Sequence, residues 1–159
     1  VYEIKRINLV FGQRMYYGGH CPDYPRRFFP RDAVHWIGLV HERTESELPV
    51  RRMGGSLLHH TYESWEQYFQ KFNQYTTLMA ERQYREGRHA SFLKILLDPP
   101  FAFFRYYILQ RGFLDGRLGF IMAMCHGFYT MIKYVKLAVL WQMHGAESTV
   151  DGKREKNND

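Results

Sequence analysis

Apolar positions along this chain change their period twice. Over residues 1–60 they are short and loosely alternating. Val1–Val10 (VYEIKRINLV) places Tyr2 and Ile4, then Ile7 and Leu9, at strand spacing. Arg27–Phe29 and Ala33–Ile37 read as two further short strands around a Pro30-Arg31-Asp32 turn signal, while Gly18-Gly19 and Gly54-Gly55 read as loop punctuation. From Trp65 onward the period becomes helical: Trp65, Tyr68, Phe69, Phe72, Tyr75, Thr76, Met79 and Ala80 line one stripe. Ser64 with Gln67 three residues later forms a capping box, and Gly87 supplies the stop. The opposite face, with Glu66, Gln70, Lys71, Gln74 and Glu81, reads as solvated.

The third regime runs from Phe92 to Trp141. Ser91 can cap a short helix, expected to end at Asp98 because the residue before a proline disfavours helical dihedrals. A second helix is expected over Phe101–Gln110, a turn between Gly112 and Gly116, and a long helix from about Arg117 to Gln142. The longest uncharged run, Leu118–Ile132, has fifteen residues, short of the roughly 20 that span a bilayer. Arg105, Arg111, Arg117, Lys133 and Lys136 interrupt the stretch together with tyrosines and Trp141. Such a mixture suits a segment lying at a bilayer surface, and a buried helical core satisfies the same length rule. The tail 145–159 is polar and charged and is expected to be disordered. The chain thus divides into 1–60 (strands and loops), 61–90 (amphipathic helix), 91–144 (apolar helices) and 145–159 (tail).

At 159 residues the chain is one domain or a piece of a larger one, and 45% hydrophobic content argues against global disorder. A net charge of +6 permits nucleic acid or an anionic membrane as partner. Continuous blocks of Leu, Ile, Met and Phe have no use in a base-stacking platform, so the membrane surface is the expected partner and nucleic acid is not. Cys21 and Cys125 are too far apart in sequence for a metal knuckle and too few for a disulfide framework. The start, without Met and in apparent mid-strand, is expected to belong to a truncated or processed chain.

Nucleophile elbows and phosphate-cradling glycine loops are absent from the sequence, and His41-Glu42 lacks the second histidine of a zinc-protease motif. His59 and His60 are adjacent and point different ways on any regular element, which leaves a single His contributed to a metal shared with residues outside this chain as the remaining metal role. The densest chemistry lies in the first zone: Asp23, Arg27, Trp36, His41, Glu42 and His59. A carboxylate such as Glu42 can take a proton from a hydroxyl nucleophile, and the guanidinium of Arg27 matches phosphate. A surface carboxylate and an ordinary ion-paired arginine are the competing readings.

The stretches GGHCPDYPRRFF, WIGLVHERTE, SLLHHTYESWEQYFQKFNQYTTLMAERQYREG and SFLKILLDPPFAFFRYYILQRGFLDGRLGFIMAMCHGFYTMIKYVKLAVLW follow one another in order. In that order the chain resembles the C-terminal half of bacterial family 2 glycosyltransferases of the lipopolysaccharide core group. The resemblance implies an α+β fold: the C-terminal part of a GT-A-like catalytic domain, followed by amphipathic, membrane-associated helices. It also implies a donor-binding half with a D-x-D motif and a divalent metal, Mg or Mn. No D-x-D occurs here, so the chain alone is expected to be inactive. On the same basis Glu42 is expected to be the catalytic base of an inverting transfer, with Asp23, Arg27, Trp36 and His41 on the substrate side and His59 reaching the metal or diphosphate. The implied partners are a nucleotide-sugar donor, a lipid-linked saccharide acceptor and the cytoplasmic face of the inner membrane. The alternative is a non-catalytic membrane-surface module, or an orphan fragment without the donor half.

Overall fold

The computed structural model describes residues 1–20, 23–31, 35–37, 43–45 and 47–155, with the backbone course alone at 20, 35–37, 43–45 and 145–155. The fold is α+β. Its sheet centres on β1 (Tyr2–Val10), which turns through Phe11-Gly12 into β2 (Gln13–Arg14). Both turn residues have positive φ, as a two-residue hairpin of this hand requires. The strained Phe11 is held from outside: its ring sits 4.5 Å from Trp65, and its N–H donates to the Tyr62 carbonyl at 2.8 Å. β3 (Arg26–Phe28) pairs antiparallel with the start of β1. β4 (His35–Ile37) and β5 (Arg43–Glu45) form a separate antiparallel pair.

The other edge of β1 takes a long parallel strand, β6 (Arg51–Tyr62). Sequence alternation missed it, because Gly54-Gly55 reads as a loop and most of its side chains are exposed. The glycines form a bulge instead. Pairing moves from Glu3↔Arg52 to Lys5↔Ser56, so β6 spends two extra residues there, and Gly55 adopts φ +89°. The inward face of β1 also differs from the expected one. Ile4, Asn8 and Val10 are buried, with Arg6 in the same phase, so two polar side chains point toward the interior side.

Helix α1 (Trp65–Arg85) is bounded as its caps predict. Ser64 accepts from the Gln67 N–H, and the Gln67 side chain accepts from the Glu63 N–H. At the other end the Gly87 N–H donates to Tyr84 and the Arg88 N–H to Gln83, a Schellman closure with Gly87 at φ +69°.

Helix α2 (Phe92–Phe104) corrects the expected break at Asp98, for it runs through Pro99 and Pro100. Each proline removes a helical N–H donor at a cost of about 3 kcal/mol, and packing on α3 (Gly116–Glu155) offsets this. The backbones approach so closely that a Cβ on Gly127 would lie 3.0 Å from the Pro99 carbonyl oxygen. The expected helix over Phe101–Gln110 is present but continuous with α2, which passes into a π-helical turn at Arg105–Leu109; a 3-10 turn at Gly112–Asp115 follows. Helix α3 starts near the expected Arg117 but continues past Gln142 to Glu155, so the first part of the polar tail is helical. Pairs such as Pro99 with Gly127 and Phe103 with Phe120 make α2 and α3 antiparallel. Phe72 with Phe128 and Tyr84 with Trp141 make α1 and α3 parallel.

Sheet and helices meet in one core of Val10, Met15, Tyr68, Tyr106, Met122 and Ala123. Beside it, the Asp115 carboxylate is buried and accepts from the Tyr16 and Tyr17 amides at 3.0 and 2.9 Å. Tyr106 lies under Gly18, Gly19 and Gly112, where any Cβ would clash with it. The α1–α3 seam carries a second polar joint. The Lys136 ammonium donates to the Asn73 carbonyl and side chain, Thr76 and Thr77, all within 3.0 Å.

A Cβ on Gly119 would stand 1.9 Å from the Gly112 carbonyl oxygen, whereas one on Gly54 would meet nothing within 4 Å. Gly119→Ala should therefore lose about 3 kcal/mol of stability in urea unfolding, and Gly54→Ala should change it by less than about 1 kcal/mol.

Candidate functional site

The inward phase of β1 determines where the polar site forms. Arg6 sits between Ile4 and Asn8, and its guanidinium forms an ion pair with Asp23. The backbone repeats the connection: the Arg6 N–H donates to the Asp23 carbonyl at 2.8 Å. On the neighbouring strand His59 stands in register with Asn8, which is only 2% exposed and accepts from the Thr61 hydroxyl at 3.2 Å. Helix α1 closes the cluster with Lys71, whose ammonium donates to the Thr61 carbonyl at 3.1 Å and lies 5.4 Å from the Tyr62 ring centre.

The electrostatics of this cluster are cationic. His59 is held below its ordinary pKa, by burial first and then by the charges of Arg6, Lys71 and Arg27, with Asp23 opposing. The charges of three permanent cations thus act on one imidazole, and Arg6 occupies the carboxylate that opposes them. That arrangement favours an anion over a metal cation. Among the described residues no group of three His, Cys, Asp or Glu converges as a metal set. The surroundings of His59 thus do not fit a divalent ion as its principal ligand set.

The structure brings Asp23, Arg27 and His59 into one electrostatic neighbourhood. Arg27 lies on β3 and lines a hollow of about 480 Å³ with Val1, Tyr2, Phe28, Phe29, Pro30 and Leu48. Trp36 is placed on β4 by its backbone. His41 and Glu42 lie outside the described residues. Sequence reasoning missed Arg6, Asn8 and Lys71. By sequence Lys71 reads as part of a solvated helix face, and the other two carry a signal: polar residues two apart in the buried phase of a strand.

His126 on α3 is likewise held low, by burial first and then by Lys133 and Arg105. For both histidines the folded pKa lies below an unfolded value of about 6.5. The stability tied to their neutral forms is then present above about pH 6.5 and declines as pH falls through the folded values. Imidazole NMR titrations should give both midpoints below 6.5, and Asp23→Asn should move that of His59 further down while leaving that of His126 in place.

No family model matches the chain, and no solved structure matches it. The chain is similar to the lipopolysaccharide core biosynthesis glycosyltransferase LpsC of Rhizobium meliloti (strain 1021), at 32% identity over 94 residues. The aligned part is 59% of this chain and 34% of that protein, so the chain spans about a third of the length of this curated relative. The similarity supports a relationship to glycosyltransferases, the activity the ordered motifs imply.

Proposed function

We propose that this chain is part of an inverting, family 2 glycosyltransferase of GT-A type that acts on a lipid-linked saccharide of the lipopolysaccharide core, and that it supplies the acceptor side and the membrane-facing surface. The observation that carries the reading is the likeness to LpsC. The cationic cluster of Arg6, Arg27 and Lys71 around His59 agrees with a substrate that carries phosphate.

In this reading the acceptor hydroxyl gives its proton to the Glu42 carboxylate while its oxygen bonds to the anomeric carbon of a nucleotide-sugar. The bond from that carbon to the nucleotide diphosphate breaks on the opposite face, the diphosphate keeps the electron pair, and the configuration inverts. Arg27 and the neighbouring cations stabilise phosphate charge, and Asp23, Trp36 and His41 shape the substrate side. A Mg or Mn ion on the donor diphosphate belongs to the same reading, with His59 as an auxiliary ligand.

Membrane docking at the cytoplasmic face of the inner membrane completes the proposal. None of the residues of α2 is buried, and Phe92, Leu93, Leu96, Leu97 and Phe101 are more than half exposed. A patch this continuous marks an interaction surface. Among the described residues no helix is long and apolar enough to cross a membrane, which agrees with a helix lying along the surface. A non-catalytic surface module would share this face but would have no use for Glu42.

In the full-length protein, Glu42→Gln should lower sugar transfer to a core-saccharide acceptor by at least about 100-fold, with folding and membrane sedimentation unchanged. Turnover near that of the parent would remove Glu42 as the base. Leu93→Glu with Leu97→Glu should move the protein from the membrane pellet to the supernatant, and unchanged sedimentation would rule out α2 as the docking face.

A further inference from the structure

The tip of the α2–α3 hairpin carries a second feature, separate from the cluster around His59. Tyr107, Phe113, Gly116, Arg117, Phe120 and Ile121 line a cleft of about 490 Å³, within the range of about 300–1,000 Å³ usual for small-ligand sites. Its walls are aromatic: Tyr107 meets Phe113 and Phe120 edge-on, with ring centres 6.2 and 5.5 Å apart. Gly116, at φ +66°, has nothing within 4 Å of where a Cβ would stand, which keeps its side of the cleft open. Ile108, Leu109, Leu114 and Met124 on the same hairpin are exposed as well.

Charge at this tip has one sign. Between residues 104 and 121 the bases are Arg105, Arg111 and Arg117, and the acid is Asp115. The carboxylate of Asp115 is buried on the Tyr16 and Tyr17 amides, so it does not neutralise the surface. Arg105, Arg111 and Arg117 are exposed. An occupant that complements both features has an apolar chain for the aromatic walls and an anionic head for the arginines. Free phosphate has no use for the first, and a neutral lipid has no use for the second.

We propose that this cleft binds an anionic phospholipid of the bilayer, its acyl chain against Tyr107, Phe113 and Phe120 and its phosphate at Arg117. The site rests on the membrane-docking reading above and deepens it: α2 supplies apolar adhesion, and the hairpin tip selects lipid charge. Juxtamembrane Lys and Arg each contribute about 1 kcal/mol toward anionic lipid, which is about fivefold in affinity.

Flotation with vesicles of phosphatidylcholine, alone or mixed with phosphatidylglycerol, tests this on the full chain. The parent should bind the mixed vesicles at least about fivefold more tightly than phosphatidylcholine alone. Arg117→Gln should remove about fivefold of that gain. Arg85→Gln should remove less than about twofold, because it deletes the same charge on α1, near Tyr84 and Trp141 and far along α3 from Arg117. Ile121→Trp, which fills the cleft, should reduce saturable binding of monomeric short-chain phosphatidylglycerol while circular dichroism remains that of the parent. Equal binding to both vesicle types, equal loss from Arg117→Gln and Arg85→Gln, or full binding of the short-chain lipid by Ile121→Trp overturns the cleft but leaves α2 docking intact. Binding to neither vesicle overturns both. An acidic peptide that displaces the chain from mixed vesicles at Arg117 without lipid protecting the cleft would assign the site to protein.

Discussion

The buried carboxylate of Asp115 joins the two halves of this structure. A buried charge is tolerated only when hydrogen bonds replace the water it has lost, and here two consecutive amides, those of Tyr16 and Tyr17, do so. Those amides belong to the segment that leaves the β1–β2 hairpin, and Asp115 belongs to the turn that starts α3. The same junction needs glycine three times, because Tyr106 occupies the space a Cβ would take, with its ring at Gly18 and Gly19 and its carbonyl oxygen at Gly112. Gly18-Gly19 and the stretch RGFLDG, about 90 residues apart in the chain, are therefore two sides of one joint. Asp23 is held separately, by its bridge to Arg6 on β1.

With that geometry held, the site's character follows from strand phase. Arg6 and Asn8 occupy inward positions of β1, and β6 brings His59 beside Asn8 in parallel register. A one-residue slip would turn all three to the opposite face. The bulge at Gly54-Gly55 absorbs two residues of β6 before the register reaches His59, so it belongs to the positioning of the site. Lys71 reaches the cluster from α1 because the capping box starts that helix at Trp65 and its amide-bound ammonium then meets Thr61. Cations from two strands and a helix thus act on His59 with one carboxylate already engaged, and a field of that sign suits phosphate oxygen.

Local rules made some of this legible and missed the rest for identifiable reasons. α1 could be read to within a residue or two, since both its ends are sealed by side chains and glycine within the segment itself. β6 could not, because its partner lies 40 or more residues away and its exposed side chains show no alternation. The proline rule failed at Asp98 because it weighs only the local backbone, whereas α2 is held by α3 through the close approach at Gly127. In the site, residues with familiar chemistry (Asp23, Arg27 and His59) were visible from type alone. Arg6 and Lys71 owe their roles to pairings that no local pattern encodes.

The apolar surface of α2 is best understood by asking what the fold requires of it. Helix α3 satisfies α1 through Lys136, Phe128, Tyr129 and Trp141, and it satisfies α2 through the stripe that contains Gly127 and Phe120. The core itself draws on Tyr106, Met122 and Ala123 from the helical hairpin and on no residue of α2 that is fully buried. Phe92, at 76% exposure, and its neighbours Leu93, Leu96 and Leu97 therefore contribute little to holding the domain together. Scattered apolar side chains on a surface call for no explanation. Six on one short helix, with Phe101 and Phe104 added to these four, next to a hairpin tip whose exposed charge is positive, form a surface with both an apolar and an electrostatic preference. The proposed bilayer with anionic headgroups would meet the two preferences together, and among the described residues no fully buried contact of α2 accounts for the apolar one.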